Sequence, residues 1–155
     1  MRRIGAPLLL LLLLLLLFLP LPAAAQNFPL DKPFKVISIS GYEVGKIGMT
    51  LKVVRQDGRL VASGHAGCNG WTATAAIRDE QIDLAEIATT KKFCGKPRMT
   101  SEEAFLTSLR SAHRWRLDDK GRLILEGDAA RLLLTAGGAE APTEKKPTTK
   151  PNKPK

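Results

Sequence analysis

The sequence predicts an α+β domain, an antiparallel sheet of several short strands with one main helix packed on it. Three observations carry this expectation. Short alternations of apolar and polar residues recur between residues 34 and 87, separated by turn residues. One helical pattern, "TSEEAFLTSLRSA" from Thr100, interrupts them. Three further short strand patterns, "HRWRL", "RLILEG" and "RLLLTA", then read as a meander.

Taken in order, "NFPLDKP" (27–33) holds two prolines and reads as an irregular lead-in. "FKVISI" (34–39) is rich in β-branched residues, as a strand should be. "GYEVGKIG" (41–48) has three glycines and reads as loop. "MTLKVV" (49–54) sets Met49, Leu51 and Val53 against Thr50 and Lys52, the pattern of a half-buried strand. Asp57-Gly58 then supplies a hairpin turn, with "LVASGHA" returning. "WTATAAI" (71–77) and "QIDLAEI" (81–87) form the next pair around the polar turn "RDE". In the helical segment Thr100 and Glu103 have the spacing of a capping box, and Pro97 discourages an earlier start. Phe105, Leu109 and Ala112 then fall on one stripe, with Leu106 beside it.

The two ends read differently from the middle. Arg2 and Arg3, the apolar run Leu8 to Leu19, Pro20 and Pro22, then Ala23-Ala24-Ala25 have the order of a secretory signal peptide over residues 1–25. The run is shorter than the roughly 17–25 residues that a spanning helix needs. Export to the periplasm or beyond, without membrane integration, is therefore expected. No cysteine near the expected cleavage point after Ala25 could be acylated. Residues 139–155, "AEAPTEKKPTTKPNKPK", read as a disordered Lys/Pro-rich tail. Between them lie a lead-in with the first strand (26–48) and the main domain (49–138). The net charge is +9. Removing Arg2 and Arg3 leaves +7, of which +3 belongs to the tail and +4 to the domain. This suits weak attraction to an anionic envelope component. A modest domain charge without a recognition motif argues against nucleic acid.

The stretch "SGHAGCNGW" (63–71) concentrates the candidate chemistry. Cys68 with His65 as base would be a thiol nucleophile, but along a strand the two side chains diverge, and no third group orients His65. Cys68, Cys94, His65 and His113 would be a zinc set, yet only His65 and Cys68 stand at a close ligand spacing. In an oxidising compartment a Cys68–Cys94 disulfide is the simplest reading. Closing a loop of about 27 residues, it would contribute roughly 3.5 kcal/mol in the chain-entropy account. Gly67, Asn69 and Gly70 mark a tight bend. Trp71 and Trp115 read as core aromatics. Asp118, Asp119, Glu126 and Asp128 fall in turns, where solvated charge is expected.

Gly67-Cys68-Asn69, then Thr89-Thr90-Lys91 with Cys94, then Glu102, Phe105, Leu106 and Leu109 in the order E-x-x-F-L-x-x-L, resemble the META domain family, which includes the HslJ-like heat-shock proteins. The likeness spans roughly residues 49 to 136. The chain departs where relatives often continue Gly-Cys-Asn with Arg and an aromatic; Gly70 and Trp71 stand here. Many relatives are lipoproteins, and this chain lacks their acylated cysteine. The resemblance implies a small α+β domain with an antiparallel sheet wrapping a helix, and loose links to stress tolerance, motility, drug resistance or secretion. It carries no catalytic residues, metal or cofactor. The expected function is that of an exported, non-enzymatic protein binding an envelope partner. The alternative is a carrier for a small apolar ligand or lipid, held between the helix and the sheet.

Overall fold

The computed structural model describes residues 26–137; the expected signal peptide (1–25) and the whole tail (139–155) lie outside the described residues. Among the described residues there are nine strands and one helix. They are β1 (Phe34–Ile39), β2 (Tyr42–Glu43), β3 (Thr50–Gln56), β4 (Arg59–His65), β5 (Gly70–Arg78), β6 (Gln81–Thr89), α1 (Lys96–Ser111), β7 (Ala112–Leu117), β8 (Leu123–Gly127) and β9 (Arg131–Ala136).

The hairpins form where local chemistry asks for them. Asp57 and Gly58 both have positive φ, 49° and 78°, as a two-residue turn between paired Gln56 and Arg59 requires. β5 and β6 pair through nine-residue strands joined at Asp79, also left-handed at φ 50°. β7, β8 and β9 form the expected meander.

The expected α+β architecture, an antiparallel sheet with one main helix packed on its face, is corrected to a closed β-barrel with one short helix. β1 pairs with β3 on one side and with β9 on the other, the latter from Phe34↔Ala136 to Ile39↔Leu132. The sheet closes on itself as an eight-stranded antiparallel barrel of β1 and β3–β9, with β2 a short flap on β1. A closed barrel and an open sheet have the same inside–outside alternation along each strand, so the strand patterns alone do not separate them. The closing pair joins the two ends of the domain in sequence, beyond the reach of any local signal.

The interior holds Phe34, Val36, Met49, Leu51, Val53, Trp71, Ile82, Leu84, Trp115, Leu123, Leu125, Leu132 and Leu134. Small residues Ala62, Ala66, Ala73 and Ala75 on β4, β5 and their flanks leave room for the two indoles. Outward positions are polar or small, for example Thr72, Thr74, Gln81 and Asp83. A membrane-spanning barrel has the reverse arrangement, an apolar outer band around a polar lumen. Among the described residues no helix is long and apolar enough to cross a membrane.

Both ends of the barrel are covered. β4, β6, β8 and β1 run from one end to the other, and β3, β5, β7 and β9 run back. At the end holding the β3–β4 and β5–β6 turns, the lead-in crosses from β7 to β3. Leu117 N donates to Gln26 Oε1 (2.9 Å), Phe28 stacks edge-on against Trp115 (4.9 Å) and Asp31 N donates to Val53 O (2.8 Å). β3 and β7 stand opposite each other in the ring, so this segment is a strap over the mouth. At the other end α1 packs against β6, β8 and β1. β6 and β1 are again diametrically opposed, which places the helix across the barrel rather than on an outer sheet face. Phe105, Leu106 and Leu109 enter the core from it. The seam between β6 and β7 is narrow, one register pair (Gln81↔Arg114) plus Trp115 N donating to Glu80 O.

The helix also starts earlier than Thr100. Gly95 (φ 83°) precedes it and Pro97 sits in its first turn, where the missing N–H is not needed. Thr100 therefore lies inside the helix and donates to Lys96 O (3.1 Å), while the Glu103 carboxylate meets Thr107 and Arg110. No capping box forms.

Asp118 differs from the solvated charge expected in its turn. Its side chain is 8% exposed and it organises the β7–β8 turn, accepting from Lys120 N (3.0 Å), Arg122 N (2.9 Å) and Arg122 Nε (2.7 Å). Partial burial pushes its carboxyl up, but the N–H donors of Arg122 and Lys120 and the Arg122 charge outweigh this, and the net direction is down.

A Cβ at Gly64 would strike the Thr50 carbonyl, the same oxygen that accepts Trp71 Nε1 (3.2 Å). Gly64→Ala is expected to cost about 1–3 kcal/mol in denaturant unfolding. For Asp118, a native pKa below the ordinary 3.8 makes its contribution complete above that value and lost as pH falls through the native one. Thermal midpoints taken from pH 6 downward should therefore fall less steeply in Asp118→Asn than in the parent; equal slopes would sink this assignment.

Candidate functional site

The residues singled out in the sequence converge at the helix end of the barrel. The bend after β4 places Gly67 at φ 101°, and a Cβ there would lie 2.6 Å from Ile47 Cγ2. That geometry turns Cys68 and Asn69 inward. Cys68 forms a disulfide with Cys94, with a Cα–Cα distance of 5.9 Å across 26 residues of sequence.

Beneath the disulfide lies a buried polar cluster centred on Glu102. One carboxylate oxygen accepts from Asn69 N (2.7 Å) and Cys68 N (3.2 Å), the other from Asn69 Nδ2 (2.8 Å). Asn69 Oδ1 accepts from Thr90 Oγ1 (2.8 Å) and Lys92 N (2.7 Å), and Asn69 Nδ2 also donates to Lys92 O (3.2 Å). The Asn69 amide thus makes every hydrogen bond open to it, and only one orientation of its O and N suits a carboxylate neighbour. Glu102 and Asn69 are 5% and 2% exposed. Burying a carboxylate is costly unless donors surround it, and here three N–H groups do so. The cluster joins three segments, the 67–69 bend, the β6–α1 linker and the second turn of α1.

The remaining motif positions serve packing. Phe105 meets Trp71 edge-on at 6.0 Å, and Leu109 is wholly buried. Thr89 ends β6 opposite Trp71 and is exposed, and Thr90 N donates to Gly70 O (3.0 Å). In the sequence Glu102 stands out only as a motif position. With the helix expected from Thr100, Glu102 falls in an end turn where solvated charge is usual, and the donors that bury it come from the distant 67–69 bend. Its place in the E-x-x-F-L pattern, three residues before the core residue Phe105, was the available signal.

The alternative chemistries find other geometry. Cys68 is held in the disulfide. His65 is committed to the bend, its Nδ1 accepting from Gly67 N (3.1 Å) and its backbone N–H donating to Thr50 Oγ1 (2.9 Å). His113 lies on β7 near Asp128 (3.9 Å), away from the bend. Among the described residues no three His, Cys, Asp or Glu side chains are grouped to hold a metal ion.

An open groove lies at the opposite, strap-covered end. Its volume is 1420 Å³, and its lining includes Phe28, Leu30, Leu60, Ile77, Arg78 and Ile82. Arg114 and Glu80 close an ion pair on its rim (3.0 Å). The apolar face of α1, by contrast, is packed into the core.

Removing the Glu102 carboxylate strands three buried donors. Glu102→Ala is expected to cost about 3 kcal/mol or more in unfolding free energy, whereas exposed Glu103→Ala should stay within about 0.5 kcal/mol.

The META domain family matches residues 27–139, so the match includes the strap and β1 as well as the motif-bearing strands. The NMR structure of a protein from Burkholderia xenovorans is similar in fold, with a TM-score of 0.57 and 18% identity. The match covers 77% of this chain and 99% of that one. No curated protein sequence matches the chain closely enough to count as a relative. A family match over most of the chain, falling on the residues that build the disulfide and the Glu102 cluster, shows that this chain belongs to the META domain family.

Proposed function

We propose that this META domain protein is exported, carries no enzymatic activity and works in the cell envelope by binding a partner there under stress or during envelope assembly. The observation that carries the reading is the Cys68–Cys94 disulfide seated on the Glu102 cluster. A disulfide is compatible with an oxidising compartment. The order of basic, apolar and small residues at the N-terminus supports export. The non-enzymatic reading draws on the same site, where the candidate nucleophile Cys68 is oxidised and the buried carboxylate of Glu102 is saturated by backbone and amide donors.

The test is made in cells. After fractionation the protein should be found outside the cytosol, and iodoacetamide without reductant should modify neither cysteine until the chain is unfolded and reduced. Cytosolic protein with alkylated thiols would overturn the reading. A second reading, a carrier for a small apolar ligand, draws on the groove beside the strap. It requires a ligand retained through purification in native mass spectrometry.

A further inference from the structure

The β6–α1 linker has a composition that neither the barrel nor the Glu102 cluster explains. Residues 91–98 read "KKFCGKPR". Lys91, Lys92, Lys96 and Arg98 are all exposed, and none makes an ion pair among the described residues. From Ala88 to Ser101 there is no acidic residue. In their midst Phe93 is 83% exposed. The other large apolar side chain exposed among the described residues is Tyr42, at 81%, on the β1–β2 flap. β1 and β6 run in the same direction around the ring, so the flap and the linker lie at the same end of the barrel. Lys46, also exposed and unpaired, follows the flap.

The linker is held rather than loose. Asn69 bonds both the N–H and the carbonyl of Lys92, Thr90 is tied to Gly70, and Cys94 is tied to Cys68. With backbone and Cys94 fixed inward, Phe93 and the lysines are left in solvent. An exposed phenylalanine within a cluster of cations, fixed on a rigid support, has the chemistry of a membrane interface. The ring enters the headgroup boundary while the cations meet anionic headgroups. A tyrosine at the same end suits the same depth, with its ring in the boundary and its hydroxyl in water.

We propose that the helix end of the barrel is a docking face for an anionic phospholipid surface, with Phe93 as the inserting side chain and Lys91, Lys92, Lys96 and Arg98 as the headgroup contacts. This rests on the envelope reading above for its setting and names the partner class for it. The alternative occupant, a soluble acidic polymer or protein, would use the same cations and leave Phe93 in water.

The barrel of residues 26–137 closes on itself and contains its own core, so the chain from Gln26 to Lys155 is a suitable test protein. Phe93→Trp provides the probe. Both native tryptophans are 2% exposed and give a steady background. Vesicles of phosphatidylcholine alone should leave the Phe93→Trp emission unchanged. Vesicles mixed with phosphatidylglycerol should move it to shorter wavelength. In sedimentation, Lys91→Glu with Lys92→Glu should weaken binding to the mixed vesicles about tenfold or more, as two reversed charges near the surface require. Phe93→Ser should weaken it by several fold. Ending the chain at Gly137 controls for the five tail lysines and should weaken binding less than the double reversal does. Circular dichroism should match the parent in every variant, since these side chains are exposed. Absence of binding to the mixed vesicles overturns the proposal. So does binding that survives both linker changes and vanishes with the tail, and so does charge-dependent binding without an emission shift, which would indicate the acidic-polymer occupant. Fractionation reports on export independently, so the two readings can fail separately.

Discussion

Pairing of β1 with β9 is the constraint from which the other features follow. It brings residues 34–39 against 132–136 and removes both free edges of the main sheet. A closed ring of eight strands has an interior that side chains must fill, and two ends that expose it. Trp71, Trp115, Phe34 and Phe105 are the largest side chains in the filling, and Ala62, Gly64, Ala66, Ala73 and Ala75 shape the space around them. The strap covers one end through Phe28 on Trp115, and α1 covers the other through Phe105 and Leu109.

Covering an end with a helix creates a polar difficulty that the Glu102 cluster resolves. The 67–69 bend and the β6–α1 linker carry backbone groups turned toward the covered region, and these need partners. Glu102 projects from α1 into the bend and takes two backbone N–H groups and the Asn69 amide. Asn69 in turn holds the linker at Lys92. The disulfide ties the same two segments covalently. Bend and linker are thus joined both by the disulfide and through Asn69, Glu102 ties the helix to the same bend, and the family motif is a record of both devices.

This division of labour bears on function. At the helix end, inward-facing chemistry is saturated with structural bonds, and the outward-facing side chains stand on the same held segments. At the strap end the covering segment leaves an open groove of mixed apolar and charged lining. The two ends therefore offer different surfaces, one cationic with isolated aromatics and one concave.

Strand positions other than the short β2 flap, which lies in the segment read as loop, the Asp57-Gly58 hairpin, the meander after the helix and the family motif were legible in the sequence, because each depends on residues near one another in the chain. Alternation of Leu51 with Lys52, or of Ile82 with Asp83, declares an inside and an outside wherever the strand is placed. The helix start was misread because Pro97 suits a first turn as well as a boundary, and Glu103 suits a cap without having to make one. Asp118 looked like solvated turn charge because its burial depends on how Arg122 folds over it. Only the tertiary structure decided that the sheet closes, that the helix lies across its end and that Glu102 faces inward. Each of these depends on contacts between residues distant in sequence: Val36 with Leu134, α1 with β1, Glu102 with Asn69. Local periodicity is the same for either outcome, and the choice was made by the need to bury apolar faces and satisfy the polar groups buried with them.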